Sequence, residues 1–240
     1  MKRYLIAAAV IALLATPVAA QDLNMEEVVV TGSRMNLEQN EFDNYDGERP
    51  AVGVRRLADF LVQQVAIRGD TRDEEQRDQE IRTMLNQAVR LAERHGVELA
   101  FGEFILTGLT AENLDELTLE ADTRPDSQRV TFLVKAKLSE SQSAQQAQQR
   151  IAAFIEAVPE NGRAQMDEWG DATLSVVGPD SFRDQIITAI AQDANLQSAK
   201  LGEGYAVEIQ GLNKPVQWAR SGLSEVLLYI PYSLKIMPRP

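Results

Sequence analysis

There is no cysteine in this chain of 240 residues. That excludes disulfides, thiolate metal sites, cysteine nucleophiles and lipid attachment at a cysteine. Histidine is almost as scarce, His95 being the sole one. A zinc site draws three or four ligands from Cys, His and carboxylates, so no metal is expected, and no cofactor is assigned. Basic residues are the minority charge, 24 against 36 acidic, for a formal net charge of -12. A surface of that sign repels nucleic acid and anionic headgroups, and no nucleic-acid partner is expected. Long apolar runs are missing beyond the first twenty residues. The longest late stretch, Val226-Leu227-Leu228-Tyr229-Ile230, has the length of a strand and not of a membrane span.

What is present begins at the N-terminus. Lys2 and Arg3 give a short positive segment, Leu5 to Ala15 an apolar one, and Thr16-Pro17-Val18-Ala19-Ala20 offers small residues before a cut. This is the order of a secretory signal peptide. Residues 1–20 are read as that peptide, with cleavage after Ala20 and a periplasmic destination. Without Lys2 and Arg3 the 24 basic residues fall to 22 against 36 acidic, a net charge of -14 for the mature chain.

Residues 21–50 read as an extended N-terminal segment. Asn36 to Arg49 is rich in Asn, Asp, Glu and Gln. It has too little apolar surface to offset the entropy of ordering, and composition alone predicts a loop or linker. The folded body spans 51–240. Phe60, Leu61, Val62, Val65 and Ile67 mark a strand over Leu57 to Ile67. A helix follows from about Asp70 or Thr71 to His95, carrying Ile81, Leu85, Ala88 and Ala92 at helical spacing. Strands are predicted over Val97 to Leu109, Leu114 to Ala121 and Val130 to Leu138; in the last, Val130, Phe132, Val134, Ala136 and Leu138 share one face. A second helix opens at Ser139 or Ser141 and ends at Pro159. A strand over Ala172 to Val176 precedes a third helix beginning at Gly178-Pro179-Asp180. Tyr205, Val207 and Ile209 mark a further strand. The last runs from Val226 to Ile236, with Pro231 suggesting an edge or a bulge.

That order predicts an α+β fold: a mainly antiparallel sheet with three amphipathic helices packed on one face. It is compatible with an internal duplication of halves 51–138 and 139–240.

The most specific short segment is Glu26-Glu27-Val28-Val29-Val30-Thr31-Gly32-Ser33-Arg34. It resembles the TonB box near the mature N-terminus of TonB-dependent outer-membrane receptors. The resemblance implies recognition by a TonB-like partner through strand addition, in which an extended β-branched run offers its backbone to a sheet edge. Glu27, Val28, Val29, Val30, Thr31 and Gly32 are therefore the candidate partner-binding residues. The chain is too short to hold a receptor's plug and barrel. The layout of 28–236, opening on Val29-Val30-Thr31-Gly32-Ser33, is also similar to the SIMPL family of exported bacterial proteins. That similarity implies an α+β domain, with assembly into rings in some members. Under it Val28–Thr31 is the first strand of the domain; under the TonB-box resemblance it is a free tail.

Catalytic patterns are not found. Ser33-Arg34 and Ser221-Gly222 read as turns, since no Gly-x-Ser-x-Gly elbow or Ser-x-x-Lys set accompanies them. Gly202-Glu203-Gly204 lacks the third glycine of a dinucleotide site. Asp70-Thr71-Arg72-Asp73 reads as a helix cap with local ion pairs before it reads as a cation site. His95 reads as a helix-end residue, and Trp169 and Trp218 as partly buried anchors or the lining of a binding surface. The expectation is a non-enzymatic, exported binding or scaffolding protein of the envelope, open to homo-oligomerisation. An accessory role in TonB-linked transport is the alternative, and a hydrolase using carboxylates or a Ser with His95 the second.

Overall fold

The computed structural model describes residues 26–30, 52–103, 105–124 and 126–239. Expectations for the signal peptide, for Thr31 and Gly32, for Ser33-Arg34 and for 36–49 lie outside them.

The elements in chain order are β1 (Glu27–Val30), β2 (Val54–Leu57), β3 (Phe60–Gly69), α1 (Glu74–Ala92), β4 (Glu98–Phe101), β5 (Thr107–Gly108), β6 (Glu120–Ala121), β7 (Gln128–Lys137), α2 (Ala144–Ala157), β8 (Gln165–Glu168), β9 (Thr173–Val177), α3 (Arg183–Leu201), β10 (Tyr205–Gln210), β11 (Gln217–Arg220), β12 (Glu225–Tyr229) and β13 (Ser233–Pro238). The fold is α+β, and its strand pairings are antiparallel. The largest sheet runs β1-β9-β3-β7-β4-β5, with β6 also on β7 and β8 also on β3. A second sheet is β11-β12-β2, and β10 pairs with β13 in a ribbon.

The centre of the large sheet is the β3–β7 pair, in register from Phe60 opposite Lys137 to Gly69 opposite Gln128. Directly opposed residues share a face. One face therefore presents Leu61, Val65 and Ile67 beside Ala136, Phe132 and Val130. This is the side of the main core, where Ile81, Met84 and Leu85 of α1 and Ile151 and Phe154 of α2 are buried with them. The helices α1 and α2 lie against β3 and β7, while α3 lies against β10. Asp73 caps α1 by accepting from Gln76 N. Ser143 and Gln146 cap α2 reciprocally, satisfying donors that a helix start leaves open.

The opposite face of the same sheet is also covered. Val62 and Ala66 are fully buried, as are Ser175 and nearly so Ala100. The sheet curls to achieve this. Beyond its β5 edge, Ile105 bridges to Val28 and Leu106 N–H donates to Glu27 O at 3.0 Å. One edge strand thus meets the other, and β1 closes the ring.

Several expected strands are divided, each for a local reason. The run Leu57 to Ile67 is interrupted at Ala58-Asp59, where the chain passes from the β11-β12-β2 sheet into the large one. Val97 to Leu109 is a hairpin, β4 and β5. Its turn holds Gly102 at φ 124, where a Cβ would come within 2.2 Å of Ile105 O. Leu114 to Ala121 is a 3-10 turn, Leu114–Glu116, followed by the two-residue β6. The terminal run Val226 to Ile236 breaks around Pro231, which has no N–H to give, and β13 leaves to pair with β10. Halves 51–138 and 139–240 share the large sheet, since β8 and β9 both pair with β3.

Candidate functional site

The candidate residues from the N-terminal segment sit in a slot of the large sheet. Glu27 to Val30 pair with Val177 to Leu174 of β9. Val28 and Val29 are 6% and 7% exposed. Burying a valine side chain is worth roughly 1.5–2 kcal/mol, so these two residues alone favour the docked strand by about 3 kcal/mol before any hydrogen bond is counted. Glu27, Val28, Val29 and Val30 are therefore together in a strand; Thr31 and Gly32 lie outside the described residues.

Both edges of β1 are engaged. On the side of β9, Glu26 O accepts from Gly178 N–H at 2.8 Å. Successive carbonyls of a strand point to opposite sides. Glu27 O, facing away from β9, takes Leu106 N–H. Val29 O, facing the same way, accepts from the Trp218 indole Nε1–H at 3.1 Å. Trp218 is buried on β11, so the second sheet holds β1 along the edge that faces away from β9.

Inside the ring the Glu27 carboxylate has its own socket. Ser175 Oγ–H donates to Glu27 Oε1 at 2.5 Å. Lys135 Nζ pairs with Glu27 Oε2. Lys135 is 5% exposed and also reaches Glu98 Oε2 at 3.1 Å. Its ammonium lies 4.1 Å from the centroid of the Phe60 ring. Register explains the convergence: Lys135 stands opposite both Val62 and Glu98, and Ser175 opposite both Phe60 and Val29. By alternation these residues share the face opposite the one that carries Leu61 and Ala136. A buried cation with two carboxylates and an aromatic face is a satisfied charge cluster. Its effect is to give the buried Lys135 ammonium the counter-charge that it would otherwise lack.

The Asp70–Asp73 segment is a structural junction. Glu80, buried on α1, accepts from Thr71 Oγ1–H at 2.6 Å, from Gln76 Nε2–H at 2.9 Å and from Arg163 N–H at 3.1 Å. The Thr71 hydroxyl does most to hold the Glu80 carboxyl below the usual carboxylate range, against the opposing effect of burial. Asp70 is held below its usual range chiefly by its hydrogen bonds from Arg163, at 2.6 and 2.9 Å. Gly162, at φ +58, lies so close that a Cβ would come within 2.3 Å of the Glu80 carboxyl. The N-cap of α1 is Asp73 rather than Asp70 or Thr71, because Asp70 is taken by Arg163 and the Thr71 hydroxyl by Glu80.

The remaining sequence candidates are dispersed. His95 ends the 3-10 turn after α1 and packs edge-on against Phe154, ring centroids 6.0 Å apart. Trp169 is half-buried beneath the guanidiniums of Arg129 and Arg68, at 4.7 and 5.5 Å. Ser221 lies in the β11–β12 turn, its N–H donating to Glu225 O. None of these meets another. Among the described residues, no group of three or more His, Asp or Glu is arranged to hold a metal, and no helix is long and apolar enough to cross a membrane.

Sequence reasoning missed Lys135 and Ser175. Alternation alone places both on a polar, outward face. The available signal was β3, whose Phe60-Leu61-Val62 and Val65-Ala66-Ile67 are apolar without alternation, as in a strand covered on both faces.

No protein-family model matches the chain, and no curated protein does. A solved structure of an uncharacterized conserved protein from Listeria innocua is similar at 11% identity, over 82% of this chain and 98% of that one, with a TM-score of 0.15. At that score the likeness carries no argument about fold or function.

Proposed function

We propose that the chain is an exported, periplasmic protein of the cell envelope that binds or scaffolds without catalysis, and that it works by strand-to-sheet pairing. The observation behind this is the slot for β1, in which a four-residue strand is gripped on both edges and by a buried ion pair. Such a device recognises an extended backbone plus one acidic side chain, as strand-addition modules do. Export is inferred from residues 1–20. The two halves, each with strands feeding a helix, support a finer proposal of internal duplication, and the burial of Ile186 and Ile190 of α3 in the same core as Ile81 of α1 and Ile151 of α2 supports a common side for the three helices.

Size-exclusion chromatography with light scattering tests the assembly side. Oligomers whose share grows as the protein is concentrated are expected. A strict monomer that binds no envelope protein contradicts the proposal.

A second proposal is an accessory role in TonB-linked transport, favoured by the match of residues 26–34 to a TonB box. It requires β1 to leave its slot, since the same backbone groups cannot pair with β9 and with a partner at once. A pull-down with the TonB C-terminal domain decides it: binding lost on deletion of 26–34 supports it, and absent or unaltered binding ends it.

A further inference from the structure

The geometry points to β1 exchange between copies: the slot formed by β9, Ile105-Leu106 and Trp218 receives Glu27–Val30 of a second copy of this chain. This deepens the scaffolding proposal and rests on it, by naming the surface and the partner.

Three observations carry it. First, β1 is joined to the rest only through distant residues. Its partners are Leu174 to Val177, Lys135, Ser175 and Trp218. It precedes all of its partners in the chain: Ile105 and Leu106 come first, and it must wait for β9 and β11, more than 140 residues later, before its strand ladder and the bond from Trp218 exist. A strand kept waiting is open to capture by a neighbour's slot. Second, the connection is long. Residues 31–53, 23 in number, separate β1 from β2 and span up to ~80 Å when extended. A body of this size is roughly 40 Å across, so the chain reaches a neighbour's slot. Third, exchange changes no contact. The incoming strand offers the same carboxylate to Lys135 and Ser175 and the same carbonyl to Trp218, which is why such swaps form at low free-energy cost. A slide that brings Val28 to the place of Glu27 leaves a buried ammonium facing valine, which disfavours that register, while the opposite slide would present Glu26 instead.

With a connection of this length, the intramolecular strand acts at an effective concentration on the order of 1 mM. Dilute protein is therefore closed on itself, and exchange grows with local crowding of copies.

The absence of cysteine makes the test clean. Val29 and Ser175 are cross-strand partners, and opposed Cα atoms at about 4.5–5.5 Å suit a disulfide. Full-length Val29→Cys and Ser175→Cys single variants are mixed, refolded together and oxidised. A covalent heterodimer is expected, its share rising about tenfold per tenfold protein concentration below ~1 mM. No heterodimer at ~1 mM, while the Val29→Cys/Ser175→Cys double variant closes within one chain, overturns the inference. Should either cysteine variant fail to fold, charge reversal replaces it. Glu27→Lys and Lys135→Glu are each mismatched alone, but an exchanged pair of the two satisfies both slots. A dimer with restored melting temperature only on mixing supports exchange; no restoration overturns it. Wild-type oligomers that appear in light scattering without the heterodimer overturn exchange and leave the scaffolding proposal standing.

Discussion

Lys135 of β7 and Glu27 of β1 are ion-paired across the inside of the curled sheet, three strands apart in the order β1-β9-β3-β7. Neither residue is near the other in sequence, and neither strand pairs with the other. The pair exists because the sheet closes, and it ties closure to the N-terminal segment.

Removing one partner is predicted to be worse than removing both. Glu27→Gln leaves the Lys135 ammonium buried with only the more exposed Glu98 as counter-charge. A broken buried pair costs about 3–5 kcal/mol, and Glu98 places the loss near the lower end of that range. In the Glu27→Gln/Lys135→Met double variant, where no charge is left stranded, the loss falls to about 1 kcal/mol or less. Urea unfolding of the singles and the double measures both.

Trp218→Phe keeps most of the apolar volume on β11 but removes the N–H given to Val29 O. The unsatisfied carbonyl should lower stability by about 1–2 kcal/mol. Because the lost bond is to β1, the larger effect is on local opening of that strand, measured as a faster amide exchange in residues 26–30 than in β3.

The Glu80 junction predicts an acid-sensitive fold. Its folded-state value lies below the ordinary 4.5, so its contribution is fully present above about pH 5 and is lost as the pH falls through that lower value. Glu80→Gln should flatten the stability curve below about pH 5 and lower stability at pH 7 by about 1–3 kcal/mol. Gly162→Ala should destabilise through the same junction, since the new methyl meets the Glu80 carboxyl in a backbone region that favours glycine. Chemical denaturation across pH tests all three statements.

The export proposal has a direct mass test. The chain recovered from the periplasmic fraction is predicted to begin at Gln21, after cleavage behind Ala20. Full-length protein in the cytoplasm, with an intact Met1, contradicts it.

Much of the body was legible in the sequence because periodicity reports one buried face at a time. The Ile81, Leu85, Ala88, Ala92 stripe located α1, and Val130, Phe132, Val134, Ala136 located β7, since each faces a single core. Breaks within apolar runs were not legible. Pro231 marked an irregularity but not that β13 would leave to pair with β10, Gly102 gave no sign of its turn, and short pieces such as β8 and β11 carry too few residues to show a period. The candidate site was half legible. Val28 to Val30 announced a strand, but the composition around it was equally that of a tail. What decides between them is Lys135, Ser175 and Trp218, brought together by ring closure, and no local pattern encodes a closure made by a single bridge at Ile105.

Hydrogen–deuterium exchange of the peptide covering residues 26–30, followed by mass spectrometry on the native chain, tests most directly whether this segment is a built-in strand. Protection within about tenfold of that in β9 is predicted. Exchange at the rate of an open chain, with β9 and β3 still protected, would contradict the slot and everything inferred from it.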